Sequence, residues 1–365
     1  MFKSKKTFGA VCALSLLAGS AFAETEFSFT NKVSSDIVNI AIPKDGSGNT
    51  TEFAGIQNKT VVDFTSEKVD AGLDIRFFFN TVKSTRPSDG TDYEFGLFGG
   101  ATHTDLDGNN TFGYFMKDYY IEYRPVEILT IGFHDTVNTN GSYLPIWDDN
   151  AGTGNLGSDL GIVLRPIEGL RIATGFDFIS AIGSEANDPL GSNFIWNAGI
   201  DYTLEETFSV GFTARNMLTE DRSFGFYGSF EGVDGLVLTA GFGINEADVA
   251  DLVSGNVLML SAQYEDEDNG WNTKAEMVTN FKNENSDTDL YIAAAGEYAF
   301  DENWASGVEV KSYWNLNDAE DTGTYEIHPY ATWSHDIHTL EAGVNFVFAK
   351  DATGFSFPVS YKISF

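Results

Sequence analysis

The chain has 365 residues, with 54 Asp and Glu against 21 Lys and Arg, for a formal net charge of −33. So acidic a chain excludes nucleic-acid binding by phosphate neutralisation, which needs clustered cations. Disorder is excluded too, because 14% of the residues are aromatic, far more than a solvated acidic segment carries.

The first 23 residues have the pattern of an export signal. Lys3, Lys5 and Lys6 make a positive start, Phe8 to Leu17 an apolar core, and Ala21-Phe22-Ala23 a small-x-small cleavage site. Cys12 lies inside the apolar stretch, with Leu14, Leu16 and Leu17 still to follow, which argues against lipidation. Cleavage after Ala23 leaves a domain of residues 24–365 without cysteine, so neither a disulfide framework nor a thiol nucleophile is expected. Its formal charge is 18 − 54 = −36, because the signal removes three lysines and no acid.

Beyond the signal, no run approaches the ~18 apolar residues of a membrane-spanning helix. Apolar residues instead alternate with small or polar ones in segments of roughly ten, the period of a half-buried strand. Phe194, Trp196, Ala198, Ile200 and Tyr202 oppose Asn197, Gly199, Asp201 and Thr203. Leu236, Leu238, Ala240, Phe242 and Ile244 oppose Val237, Thr239, Gly241 and Gly243. Trp271, Ala275, Met277 and Phe281 oppose Asn272, Lys274, Glu276 and Asn280, and the pattern returns at 339–348. A soluble β-sandwich would carry many charges on its polar face. Here that face is mostly Gly, Ser, Thr and Asn, which suits a curved wall around water. The 37 Gly and only 8 Pro fit many strands joined by tight turns.

Short connections at 124–127, 166–169, 204–206, 232–235, 301–303 and 336–338 alternate with longer polar stretches near 137–158, 181–192, 245–256, 282–288 and 316–323. Short turns at one end and long loops at the other mark an up-and-down transmembrane barrel. The alternation counts to about 19 segments, and single-chain barrels have even numbers. The expectation is therefore an all-β, single antiparallel barrel of 16–18 strands, with the surplus segment before residue 112. Trp196, Trp271, Trp304, Trp314 and Trp333, with Tyr119, Tyr123 and Tyr202, fall near strand ends, where interfacial girdles sit.

Asp105-Leu106-Asp107-Gly108-Asn109 begins like a calcium loop, but Met116 occupies the position of the bidentate acid, so an Asp-Gly turn is expected. The acidic run Glu265 to Asn269 reads as a solvated turn. No metal site or cofactor is expected. Five histidines are present; His103, His134, His335 and His338 fall in loops or strand ends and His328 mid-strand on the polar side. No spacing sets one beside a nucleophile as a relay requires, so enzymatic activity is not expected.

The final segment runs Phe355-Ser356-Phe357-Pro358-Val359-Ser360-Tyr361-Lys362-Ile363-Ser364-Phe365, apolar or aromatic at every odd position. This resembles the C-terminal assembly signal of bacterial outer-membrane proteins, with Phe365, Ile363 and Tyr361 matching its three key positions. The resemblance implies outer-membrane lipid, the barrel-assembly machinery as a partner, and a porin-like protein of that membrane. The acidic, Gly-rich and Phe-rich style is similar to spirochaete outer-membrane proteins.

A barrel of that width encloses an aqueous channel whose wall charges set selectivity. Alternation places Arg76, Arg165, Arg171, Arg215, Lys274, Glu276, Glu309, Lys311 and Glu341 on the inner face as pore-lining residues, together with Asp74, Asp177, Asp201 and Glu326. The long connection around 137–150 carries apolar residues at its middle. Tyr143, Trp147, Asp148 and Asp149 are the expected constriction. The function expected is passive diffusion of small hydrophilic solutes with a mild cation preference from the net acidity. The alternative is a non-conducting barrel serving as adhesin or structural anchor. A homotrimer is an assembly common among such porins.

Overall fold

The computed structural model describes residues 25–46, 50–52, 56–79, 101–104, 110–133, 160–177, 195–205, 207–218, 222–245, 256–266, 268–281, 289–316 and 323–365. Every regular element in them is a strand. The chain opens with β1 (Thr25–Pro43), β2 (Thr50–Glu52), β3 (Ile56–Ser66) and β4 (Val69–Phe79). Next come β5 (Ala101–Thr104), β6 (Asn110–Val126), β7 (Leu129–Phe133), β8 (Leu160–Ile167) and β9 (Leu170–Asp177). The middle holds β10 (Ile195–Leu204), β11 (Phe208–Arg215), β12 (Ser223–Val233), β13 (Leu236–Asn245) and β14 (Asn256–Asp266). β15 (Trp271–Phe281), β16 (Asp289–Ala299), β17 (Trp304–Asn315) and β18 (Thr324–His335) follow. The chain ends with β19 (His338–Gly343), β20 (Asn345–Phe348) and β21 (Ala352–Ser364).

These segments make 18 staves of one closed antiparallel barrel, because three are not staves of their own (21 − 3 = 18). β2 continues β3 in the same register against β1: Asn39 opposes Glu52 as Ser34 opposes Gln57. β5 is a short addition to the loop-side end of β6. β19 and β20 are one stave interrupted at Val344, whose N–H donates to the carbonyl of Pro329 at 3.0 Å. Pro329 has no N–H to return, so the ladder skips a rung there. Each stave pairs with the next in sequence, and β1 pairs with both β3 and β21, which closes the ring. The count is even, at the upper expected value; of the three extra segments, β2 and β5 lie before residue 112 as expected, and the third comes from the break within the β19–β20 stave.

The two faces are sorted in the reverse of a soluble protein. Phe226, Phe230, Phe242 and Ile244 are exposed, whereas Asn197, Asp201, Thr213 and Ser223 are at most 5% exposed. In water, that arrangement would expose a continuous apolar belt, far beyond what a soluble surface carries. It suits lipid outside, where all strand amides are satisfied within the closed ring. The largest buried side chains, Val257, Met259, Val278 and Tyr291, lie on the inward face of β14–β16 rather than between two layers.

The connections divide as expected. Those after β3, β6, β8, β10, β12, β14, β16 and β18 are tight turns at the end that also holds both strand termini. The longest intervals, such as 134–159 and 178–194, all open at the other end. Several tight turns need a left-handed residue. At Gly235 (φ 72°) a Cβ would meet the Glu265 carbonyl oxygen at 2.1 Å, while the Glu265 N–H donates to the Gly235 carbonyl at 2.9 Å. Glycine therefore fills both a backbone and a packing requirement. In the turn after β14, Asn269 donates from its backbone N–H and its side-chain amide to the Asp266 carboxylate.

The tight turn expected at 124–127 is a correction. β6 runs on to Val126 with a bulge between Tyr123 and Val126, so Arg124 is a strand residue facing inward. Of the aromatic residues expected near strand ends, Trp271 and Trp304 begin strands, and Trp196 and Trp314 lie one residue inside. Tyr119 is mid-strand in β6. The calcium-like run 105–109 and His134 lie outside the described residues.

Candidate functional site: the lumen wall

The parity of each strand fixes which side chains reach the lumen. The register carries that face from strand to strand: Arg76 opposes Lys59, Arg171 opposes Asp201, Glu276 opposes Ala293, Lys311 opposes Glu326, and Glu341 opposes Thr332. By this parity the nine residues named for the wall share the face of the sheet opposite the apolar belt.

Their partners were mostly not legible in the sequence. Arg76 donates to Asp74 at 3.2 Å, and Lys59 reaches the same carboxylate at 3.6 Å. Arg171 donates to Asp201 at 3.3 Å, and Arg165 to the Thr130 hydroxyl at 2.9 Å. Arg215 donates to Ser223 at 3.1 Å. Lys311 pairs with Glu309 at 2.7 Å two residues along β17. Glu276 accepts the Tyr291 hydroxyl at 2.8 Å, on the most enclosed part of the wall. Lys274 and Glu341 hold inner-face positions on β15 and β19.

Arg124 is a cation of the inner wall that sequence reasoning missed. Both ends of its guanidinium engage Asp70, one at 2.8 Å, and Nη2 also donates to the Ser66 carbonyl at 2.9 Å. The signal was present: Tyr120, Glu122 and Arg124 keep period two, and Pro125 drew the reading toward a turn. Glu122, Asp63 and Tyr120 belong to the same wall, with the Tyr120 hydroxyl 3.4 Å from Asp63.

Acids and bases occur together around the wall, but not evenly. From β6 to β11, among the side chains described, Arg124, Arg165, Arg171 and Arg215 stand against Glu122 and Asp201, and Asp118 and Asp177 hold inner-face backbone positions in the same arc. Arg165 lies within electrostatic reach of Arg124, Arg171, Glu122 and Asp201. From β15 to β19 the wall carries Glu276, Glu297, Glu309, Glu326 and Glu341 against Lys274 and Lys311. β8 and β9 are nine staves from β17 and β18, half of the 18-stave ring, so the arginine arc and the glutamate arc face each other across the lumen.

The described histidines make other contacts. His338 Nδ1 lies 2.7 Å from the Tyr361 hydroxyl, His335 Nδ1 3.2 Å from Asn303, and the His328 ring rests on Tyr330. The residues of the expected constriction, Tyr143, Trp147, Asp148 and Asp149, lie outside the described residues.

No family model matches the chain. No curated protein matches it either. Solved structures do. OpdK of Pseudomonas aeruginosa, solved with vanillate, superposes with a TM-score of 0.54 at 12% identity, covering 95% of this chain and 100% of that one. OccAB4 of Acinetobacter baumannii gives 0.54 at 10% identity over 94% and 99%. A BenF-like porin from Pseudomonas fluorescens gives 0.54 at 10% over 95% and 100%. Fold and wall together define a closed antiparallel β-barrel with an apolar outer belt. The likeness to these structures is one of architecture, over 94–95% of this chain.

Proposed function

We propose that this protein is a passive diffusion channel of a bacterial outer membrane for small hydrophilic solutes, and not an enzyme. The observation that carries it is the inversion of the two faces: an apolar outer belt around an inner wall of small, polar and charged residues. A ring of 18 staves is wide enough for water, and the outer-membrane porins that share its architecture are channels. A cation preference follows from the formal charge of −33 and from the glutamate arc, with the arginine arc opposing it locally. Residues 1–23 act as the export signal, cleaved after Ala23. Tyr361, Ile363 and Phe365 present β21 to the assembly machinery before it seals against β1. The segment 141–150 narrows the lumen; support comes from the inward Val278, Met259 and Tyr291, which are 0–1% exposed although they face the lumen.

The test is conductance of the purified, refolded protein in a planar bilayer under a salt gradient. Stepwise openings with a reversal potential on the cation side are expected. A correctly folded barrel that never conducts would overturn the proposal. That outcome would favour the second reading, a surface adhesin or anchor, for which the same enclosed residues on β14–β16 speak.

A further inference from the structure

Four cations stand side by side on the face of the sheet opposite the apolar belt. Lys362 on β21 opposes Lys32 on β1, Lys32 opposes Lys59 on β3, and Lys59 opposes Arg76 on β4. Each is the direct register partner of the next, so the row crosses four adjacent staves without a step. Neighbouring strands lie about 4.8 Å apart, which spreads the four positions over about 15 Å of wall. Like charges placed directly opposite each other destabilise a sheet. The row is therefore unfavourable for folding, and it occurs in a chain with 54 Asp and Glu and only 21 Lys and Arg.

Its neighbours do not cancel it. Among the described side chains, the carboxylate within ion-pair distance of the row is Asp74, 3.2 Å from Arg76 and 3.6 Å from Lys59. The next described acids bound the row: Glu341 opposes Ser360 on β21, and Asp63 lies two inward positions along β3 from Lys59. Asp36 and Asp118 hold backbone positions farther along, opposite Pro358 and Asp74. Asp74 thus serves the β3–β4 half, whereas hydroxyls line the β1–β21 half. Thr30 and Ser364 oppose each other one inward position to one side of Lys32 and Lys362, with their hydroxyls 3.2 Å apart. Ser34 opposes Ser360 one inward position to the other side. An ammonium only donates, and a hydroxyl donates as readily as it accepts. This stretch of wall is rich in donors.

We propose that Lys32 and Lys362, with Lys59 beside them and the flanking hydroxyls, form a lumen subsite for the phosphate dianion. A carboxylate is planar and is matched best by the fork of an arginine, whereas lysines act on phosphate as separate point charges. Three of the four cations are lysines, and the half of the row beyond the reach of Asp74 is lysine alone. A tetrahedral anion seated there offsets the repulsion between neighbouring ammonium groups. As a stopping place within a pore the subsite rests on the channel reading; the binding itself does not.

The experiment uses the full refolded chain and two readouts. In a planar bilayer in potassium chloride near neutral pH, millimolar inorganic phosphate should interrupt the open-channel current. Lys32→Gln/Lys362→Gln should abolish that block, while Lys274→Gln, which removes the same charge on β15, should keep it. Titration calorimetry of the folded barrel in detergent should show saturable phosphate binding. Each of Lys32→Gln and Lys362→Gln should weaken it about tenfold or more, as the loss of one charge-assisted hydrogen bond implies. Both replacements relieve repulsion, so the double variant should fold at least as well as wild type by heat-modifiable mobility. No phosphate binding, acetate acting as strongly as phosphate, or binding unchanged in the double variant would each overturn the subsite and leave a conducting channel standing. A folded barrel that binds phosphate through these lysines but never conducts would overturn the channel and keep the subsite.

Discussion

Phe29 and Phe365 seal the barrel at its turn-side end. Each donates its backbone N–H to the other's carbonyl, at 2.7 and 3.0 Å, and their rings lie 5.1 Å apart at 28° on the lipid face. The last residue of the chain is thus the last rung of the closing ladder. Phe365→Ala keeps the backbone rung and loses the ring pair, about 0.5–1.5 kcal/mol. Deleting Phe365 removes the rung as well. The expected outcome is a modest drop in urea stability in vesicles for the substitution, and a much larger loss of assembled barrel for the deletion. Equal assembly of the two variants would show that the ladder contact is not what matters.

The wall also depends on close cross-strand seating of tyrosine over glycine. Gly211 opposes Tyr227 directly, and a Cβ on Gly211 would lie 2.1 Å from the tyrosine ring. Tyr120 lies over Gly72 and Tyr330 over Gly307 in the same way. Gly211→Ala should therefore destabilise the barrel by about 1–3 kcal/mol, the range for overpacking. Removing the ring as well, in Gly211→Ala/Tyr227→Ala, should make the alanine far less damaging than it is beside the intact ring. A double-mutant cycle with no coupling would contradict the seating.

These two relationships show how far the sequence reaches. Alternation sorts a strand's residues onto its two faces, because a strand's side chains can only alternate. The final Phe, Ile and Tyr marked the closing strand. Partners across the wall were not legible: that Arg171 meets Asp201, or Arg124 meets Asp70, depends on register, which period two leaves free by any even shift. Arg124 itself was hidden by Pro125, a turn signal tolerated here beside a bulge at the end of β6. The opposition of the arginine and glutamate arcs needed the ring to be closed before any residue could be said to face another.

That opposition predicts selectivity. Arg165 is exposed and donates to a neutral hydroxyl, so changing it disturbs little else. Arg165→Glu should shift the reversal potential toward stronger cation preference with less than about 1 kcal/mol of stability lost, as for exposed charges. Glu341→Gln on the facing arc should move it the other way. Bilayer recordings under a salt gradient read both, and shifts of the same sign would refute a wall that acts by charge.

Arg171 is a different case, because its partner is almost enclosed: the Asp201 side chain is 3% exposed and that of Arg171 14%. Truncating one member of such a pair leaves an uncompensated charge, which typically destabilises by about 3–5 kcal/mol. Arg171→Ala should fall toward that range, whereas Arg171→Ala/Asp201→Ala should regain much of it. Unfolding in vesicles measures the difference, and equal loss in both variants would argue against the pair.

The narrowing of the lumen is tested by length. The interval between β7 and β8, residues 134–159, is long enough to reach across the barrel mouth, and its middle carries Tyr143, Leu144, Ile146 and Trp147 beside Asp148 and Asp149. Such residues have a reason to face inward only if the wall offers an apolar seat. The inner face of β14–β16 offers one in Val257, Met259 and Val278, larger than the pair Val163 and Ala173 on β8 and β9. Deleting 141–150 should enlarge single-channel conductance, and Val278→Asp, which spoils the seat without touching the loop, should do the same to a lesser degree. If the deletion conducts like the wild type, the constriction lies elsewhere. If the deletion widens the channel and Val278→Asp does not, the loop narrows the pore from a different seat.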